Sequence, residues 1–318
     1  MIFKRQAQPG WMAITLQAQH VCLAHVVRAQ GAAPRVALLD RAAHRQAAVT
    51  VRTIEAQARE QGEGRARAIV ADAVQRVASA QTAESVVTVL ALPDDEMKAA
   101  LRWSVKDALD FPAEHAVIDL LRVPAGGATQ GQAPQAFAIA ARREKVAERM
   151  QAFQKAQVPL HTIDIAEVAQ RNVAALFEQA GRGLALLTIN ERGGLLTFTR
   201  DGELYAARRI DADPAAFGDA AEVSRREAAL ERIGLELQRS LDNFDRQFSQ
   251  IALQRLLVCV PTGCRALLAY LGQNLYLPVE TADLGAVLDL RDAPMAADPD
   301  QQVNWLQAIG LALRDEAA

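Results

Sequence analysis

The sequence predicts an α/β protein built on a duplicated domain, and three observations carry the prediction. Short strand-like runs alternate with amphipathic helical runs along 318 residues, more than one small core accommodates. The order strand, strand, strand, helix, strand occurs twice, once in each half. Hydrophobic residues make up 51% of the chain, a share that suits a packed globular protein.

The first copy opens with Trp11 to Gln17, where Trp11, Ala13 and Thr15 alternate with Met12, Ile14 and Leu16. His20 to Gln30 and Arg35 to Asp40 follow after short polar turns, so the three runs read as a meander. A polar stretch at Glu60 to Gly64 precedes a helix expected over 65–80, and the apolar run Val86 to Leu92, stopped by Pro93, reads as a buried strand. The second copy begins with Leu184 to Ile189, Leu195 to Thr199 and Leu204 to Ile210. Gly193-Gly194 and Asp201-Gly202 mark the two turns. The helix of Ser224 to Phe248 carries Leu230, Ile233, Leu237, Leu241, Phe244 and Phe248 three or four residues apart, one continuous core-facing stripe. Leu256 to Val260 then reads as another buried strand, ended by Pro261.

A different unit lies between the copies. Asp94 to Leu109 reads as a helix whose N-terminus suits Asp94 and Asp95. Ala116 to Val123 and Ala136 to Ala140 read as strands on either side of a Gly- and Gln-rich loop at 126–134. Arg142 to Gln157 reads as a helix, Leu160 to Asp164 as a short strand and Ala166 to Gln179 as a helix.

The formal charge of −3 gives no basic excess to attract nucleic acid or an anionic membrane. Cys22, Cys259 and Cys264 are odd in number and lack paired spacing, which fits a reducing compartment. Met1-Ile2-Phe3-Lys4-Arg5 is followed by Gln6, Gln8, Pro9 and Gly10 and not by an apolar signal core. No apolar run reaches the ~18 residues of a membrane span. The expectation is a cytoplasmic protein that meets a membrane only through partners.

Several stretches, in order, resemble the PilM and MshI family of pilus biogenesis proteins. They are Ala100 to Asp107 with Phe111-Pro112, Asp119 in the following strand, Ala140 to Val146, Ile163 to Asn172, Leu237 to Asp242 and Ala308 to Arg314. The resemblance implies duplicated actin-like, ribonuclease H-like domains with an inserted 1C subdomain of the kind seen in FtsA and PilM. It places the first actin-like domain at 1–93 plus 164–181, the insert at 94–163 and the second actin-like domain at 182–318. The cytoplasmic domain of type II secretion GspL proteins is a related possibility. The resemblance further implies a scaffold of a type IV, MSHA-type pilus machine. It would hold the N-terminal cytoplasmic tail of a PilN-like inner-membrane protein in a groove, with an assembly ATPase as a second candidate partner. The residues that would floor the groove are Trp103, Val117, Asp119, Leu121, Phe137 and Ile139. Pairing with an edge strand and apolar pockets would supply the binding.

Actin-like proteins wrap phosphates with a hairpin after the first strand of each half, using glycine amides, hydroxyls and a metal-positioning Asp. Here the first hairpin, Leu16 to His20, has Gln17 and neither Asp, Gly, Ser nor Thr. The second keeps Gly193 and Gly194 but has Asn190 where an Asp is expected, and the later glycine-rich loop keeps only Gly263. The Asp211 to Val223 region, which elsewhere in the family helps enclose the base (the 2B region), is short. The expectation is a degenerate site with no cofactor and no catalysis. The alternative is an actin-like protein whose state is set by ATP with Mg²⁺. A sugar kinase of the same fold would need a catalytic carboxylate that the sequence does not show.

The five histidines, His20, His25, His44, His115 and His161, are scattered, and Cys259 and Cys264 read as core residues, not as half of a zinc site. Asp164, Glu167 and Arg171 share one helix face. They form either an ion-pair ladder with Arg171 or a contact that orients the insert.

Overall fold

The computed structural model describes residues 10–16, 20–28, 31–43, 86–91, 109–124, 135–155, 160–218, 221–261 and 263–314. They fall into two compact units.

The first unit takes in most of a meander of β1 (Trp11–Leu16), β2 (His20–Val27) and β3 (Arg35–Ala43), paired in the order β1-β2-β3. Gly10 enters it at φ +118°, and a Cβ there would lie 2.0 Å from the Val26 carbonyl oxygen, so only glycine fits. The outer side of β3 is tied to a distant segment. Val36 N–H donates to Asp289 O (3.0 Å) and Asp289 N–H donates to Pro34 O (2.9 Å). Cys22, Val26, Val36 and Leu39 pack into one core with Leu284, Trp305 and Ile309 from the end of the chain.

The same unit continues with α2 (Ala166–Ala174) and a five-stranded sheet. Its strands are β7 (Gly183–Asn190), β8 (Gly193–Arg200), β9 (Glu203–Ile210), β10 (Leu253–Cys259) and β11 (Val279–Thr281). The spatial order is β11-β10-β7-β8-β9. The β7–β8–β9 meander is antiparallel, whereas β10 runs parallel to β7 and β11 parallel to β10. This is the ribonuclease H-like arrangement expected of an actin-like half. β7 is buried along almost its whole length because both sheet faces are covered.

One face is covered by α3 (Val223–Gln247), whose stripe Leu230, Ile233, Leu237, Leu241 and Phe244 is buried as its spacing predicts. Phe244 stacks on Phe198 of β8, with centroids 4.4 Å apart, and Phe248 meets Tyr205 of β9 edge-on at 5.5 Å. The opposite side belongs to α2 and to α5 (Gln302–Ala312), which pack on each other at Ala169 and Gly310. Between them in sequence, α4 (Arg265–Asn274) connects β10 to β11.

The second unit holds a three-stranded antiparallel sheet in the order β4-β6-β5, with β4 at Val86–Ala91, β5 at Ala116–Arg122 and β6 at Gln135–Arg142. The helix α1 (Arg143–Lys155) follows β6 directly. Leu109, Ile118, Leu120 and Ala138 form a small apolar cluster. The Phe111-Pro112 turn is fixed by Arg142, whose guanidinium lies 4.2 Å over the Phe111 ring and 3.1 Å from Asp110.

The structure corrects three sequence expectations. Val86–Ala91 is a strand, but it pairs antiparallel with β6 and does not close the first copy of the repeat. The expected strand at 160–164 has no regular structure, and Ile163 is 50% exposed with no neighbouring strand among the described residues. The helix expected to reach Gln179 ends at Ala174, where Leu176 and Phe177 turn back onto Val173 and Ala174 through tighter backbone bonds. The helix expected over 65–80, most of that over 94–109 and the loop at 126–134 lie outside the described residues.

Candidate docking site

The sheet of the second unit brings five of the six candidate docking residues together. β5 and β6 pair Val117 with Ala141, Asp119 with Ile139 and Leu121 with Phe137. Directly opposed residues share a face, and so do residues two apart along a strand. Val117, Asp119, Leu121, Phe137 and Ile139 therefore occupy one face in three adjacent rows. Val117 is 39% exposed and Asp119 is exposed, whereas Phe137 is 1% exposed and packs as core. The sixth residue, Trp103, lies outside the described residues.

Among the described strands, β5 lies at an edge of its sheet. Val123 N–H donates to Gln135 O at 2.9 Å, so odd-numbered residues of β5 turn their backbone groups toward β6. Ala116, Ile118, Leu120 and Arg122 turn theirs outward. At least two of these outward groups have side-chain partners. Asp119 Oδ1 accepts from Leu120 N–H at 2.8 Å, and Arg143 Nη2 donates to Ala116 O at 3.3 Å.

The hairpin expected to be a phosphate loop is a tight turn with Glu191 and Arg192 at its tip, closed by the Asn190–Gly193 pair. Asn190 Oδ1 accepts from Arg192 N–H at 2.9 Å, so its carboxamide is spent on the turn. Gly193 sits at φ +99°, and a Cβ on Gly194 would lie 2.8 Å from Ile210 Cβ. Hairpin conformation and the close approach of β9 thus account for both glycines. Gly263 has φ +89° at the entry to α4 with no atom within 4 Å of a Cβ position, and Gln17 lies outside the described residues. At this hairpin the expected Asp is an Asn turned into the turn, and the tip carries one acidic and one basic side chain, Glu191 and Arg192.

A polar seam on α2 was not apparent from sequence spacing. Gln170 is 1% exposed. Its amide nitrogen lies 2.7 Å from Leu186 O, 3.0 Å from Leu195 O and 3.0 Å from Thr197 Oγ1, and its carbonyl accepts from Thr188 Oγ1 at 2.7 Å. Asn172 donates to Gly310 O at 2.8 Å. Glu167 is buried and pairs with Arg209 of β9 at 2.9 Å, not with Arg171. Arg171 reaches Asn172 Oδ1 at 2.8 Å and Glu203 at 3.9 Å. The expected ion-pair ladder along one helix face is therefore replaced by bonds from α2 to its neighbours.

All three cysteines are buried and none is in a disulfide, and burial pushes the Cys259 thiol up to about 12. Arg291 donates to Asp289 from Nε, Nη2 and its backbone N–H and holds its carboxyl down at about 2. No group of metal-ligating side chains occurs among the described residues, and no described helix is long and apolar enough to cross a membrane.

No protein-family model matches the chain. A chain of a PilM-PilN type IV pilus biogenesis complex superposes with a TM-score of 0.65, 19% identical, over 97% of this chain and 99% of that one. That likeness shows the fold: this protein has the actin-like α/β fold. Two further solved structures give a TM-score of 0.45. One is the cytoplasmic domain of EpsL, an inner membrane component of the type II secretion system of Vibrio cholerae, 10% identical over 97% of each chain. The other is a protein with actin-like ATPase fold from Bacteroides thetaiotaomicron, 6% identical over 96% of this chain and 98% of that one. Local stretches also match curated ribonuclease Y proteins. That of Frankia casuarinae is 52% identical over 88 residues, and that of Salinispora tropica 62% identical over 66 residues. Those stretches are 27% and 21% of this chain, and this chain spans only 14% and 11% of the two relatives.

Proposed function

We propose that this chain is a non-enzymatic scaffold of a type IV pilus assembly machine, of the MSHA type and the MshI branch. It holds the N-terminal cytoplasmic tail of a PilN-like inner-membrane protein on the β4-β6-β5 sheet. It works in the cytoplasm and meets the inner membrane through that partner and an assembly ATPase. The observation that carries this reading is the convergence of Val117, Asp119, Leu121, Phe137 and Ile139 on one face beside an edge strand. An extended tail adds main-chain bonds at such an edge while alternate side chains read the face. One solved structure that shares the fold is itself a PilM-PilN complex, in keeping with a PilN-like partner.

The scaffold works without nucleotide. Asn190 and Gly193 are committed to closing their turn, and Gly194 to the approach of Ile210. Both parts of the proposal are tested on one preparation. A synthetic peptide of the first twenty or so residues of a PilN-like protein is titrated in by fluorescence anisotropy, and ATP with Mg²⁺ by calorimetry. Micromolar peptide binding, about −8 kcal/mol, that disappears in Val117→Glu is the expected result. The half-exposed position lets that variant fold. Peptide binding unchanged by Val117→Glu refutes the docking face, and micromolar ATP binding refutes the nucleotide-free scaffold.

A further inference from the structure

The outer edge of β5 is not a bare row of backbone groups, and the way it is closed says what can open it. Of the four residues that point away from β6, Leu120 has its N–H taken by the carboxylate of the preceding residue, Asp119, at 2.8 Å. The Ala116 carbonyl is taken by Arg143. Charged side chains that fold over an edge in this manner prevent indiscriminate pairing with other strands. Here the closing group is exposed and lies between two apolar neighbours on the same face, Val117 and Leu121. A strand that adds to β5 must take the Leu120 N–H for itself, which releases the Asp119 carboxylate toward the incoming chain.

We propose that Asp119 is a charge filter on this edge. The segment it admits is extended and carries Lys or Arg opposite Asp119, with apolar side chains two residues to either side. The inference rests on the docking reading and adds the partner's chemistry to it. Odd residues of β5 make their hydrogen-bonded pairs with β6, so toward an antiparallel newcomer Asp119 occupies a non-hydrogen-bonded pair, the type that brings opposed side chains closest. A cation there replaces the bond that Asp119 loses. A carboxylate there meets a like charge, and a neutral side chain leaves Asp119 to water. The apolar positions follow from Val117 and Leu121, which flank Asp119 at the period of the strand.

The test is selection of random ten-residue peptides displayed on phage against the full chain, in parallel with Asp119→Lys and Val117→Glu. Enriched peptides are then resynthesised and measured by anisotropy. Asp119 is exposed, so the charge reversal leaves the fold intact, as a thermal melt verifies. The expected outcome is enrichment of Lys or Arg flanked at two residues by apolar side chains. Exchanging the cation for a neutral side chain should weaken binding about two- to five-fold, as cross-strand charge pairs do. Exchanging it for Glu should weaken binding further, and Asp119→Lys should reverse the order. Peptides that lose binding in Val117→Glu but ignore the Asp119 reversal overturn the filter and leave the docking face standing. Peptides indifferent to both substitutions, or no enrichment at all, overturn the docking face and the filter together.

Discussion

Replacing Gly310 by alanine tests the packing that holds the first unit together. Gly310 lies on α5 against α2, where an added Cβ would be 2.1 Å from the Ala169 carbonyl oxygen and 2.7 Å from its carbonyl carbon. Ordinary contact begins near 3.4 Å, so the two helices must part by more than an ångström. The obstacle is backbone and cannot rotate away. Separation also stretches the 2.8 Å bond from Asn172 to Gly310 O and loosens Trp305, Leu306 and Ile309 in the shared core. Overpacking of this kind costs about 1–3 kcal/mol, and a backbone obstacle belongs at the upper end. The better helix propensity of alanine returns about 1 kcal/mol, leaving a net loss of about 2 kcal/mol. Gly272 in α4 supplies the comparison, because no atom lies within 4 Å of its Cβ position. There the propensity acts alone, and Gly272→Ala should gain up to about 1 kcal/mol. Urea unfolding followed by circular dichroism should move the two midpoints in opposite directions. A Gly310→Ala chain as stable as the parent refutes the inferred closeness of α2 and α5.

Two further predictions concern buried charge and burial of thiols. Arg209→Met leaves the Glu167 carboxylate buried without its partner and should cost about 1–3 kcal/mol, less than a fully buried pair because Arg209 is half in water. Glu167→Gln in the same chain should recover most of that loss in urea titrations, and additive losses would show that the pair is not coupled. The native protein should react with none of its three thiols under an aromatic disulfide reagent and with all three once unfolded. Because the Cys259 thiol titrates near 12 when folded and near 8.5 when unfolded, its contribution is intact below about pH 8.5. Above that the unfolded state loses its proton first, and stability falls by about 1.4 kcal/mol per pH unit until about 12. Cys259→Ala should lack that slope in alkaline unfolding curves, and equal slopes would place Cys259 in contact with water.

The actin-like half from β7 to β10 was legible because its pattern is about faces. The stripe of α3 records which side of the helix meets the core, and burial follows its period, whereas β7 and β8 are buried on both faces. The error at Val86–Ala91 has the same origin. A run apolar on both faces announces a covered strand, yet nothing local names its neighbour, and β6 lies nearly fifty residues on. The helix α5 escaped notice because Val303, Trp305, Leu306, Ala308, Ile309 and Ala312 bury it nearly all round, which erases the 3.6-residue period that marks a surface helix.

Residues read singly were harder still, since one residue type serves several purposes. Glu167, Gln170 and Asn172 are residue types that usually face water. In the fold they are buried because α2 is covered on more than one side, and Gln170, Asn172 and Glu167 Oε1 find partners that only tertiary structure supplies, while Glu167 Oε2 is buried without one. Gly193 and Gly194 look like the remains of a phosphate loop, and here a positive φ and the nearness of Ile210 require them whether or not a phosphate ever binds. A retained glycine pair is therefore no evidence for nucleotide in this hairpin. The informative position is Asn190, where the carboxamide that replaces the expected carboxylate closes the turn on Arg192. An aspartate side chain at the same place could accept the same N–H, so the turn alone does not demand asparagine. What asparagine removes is the negative charge that would hold a metal ion. Restoring it by Asn190→Asp should leave the hairpin's stability within about 0.5 kcal/mol and should still fail to create Mg²⁺–ATP binding in calorimetry, because the restored carboxylate still accepts the Arg192 N–H and Glu191 remains at the tip.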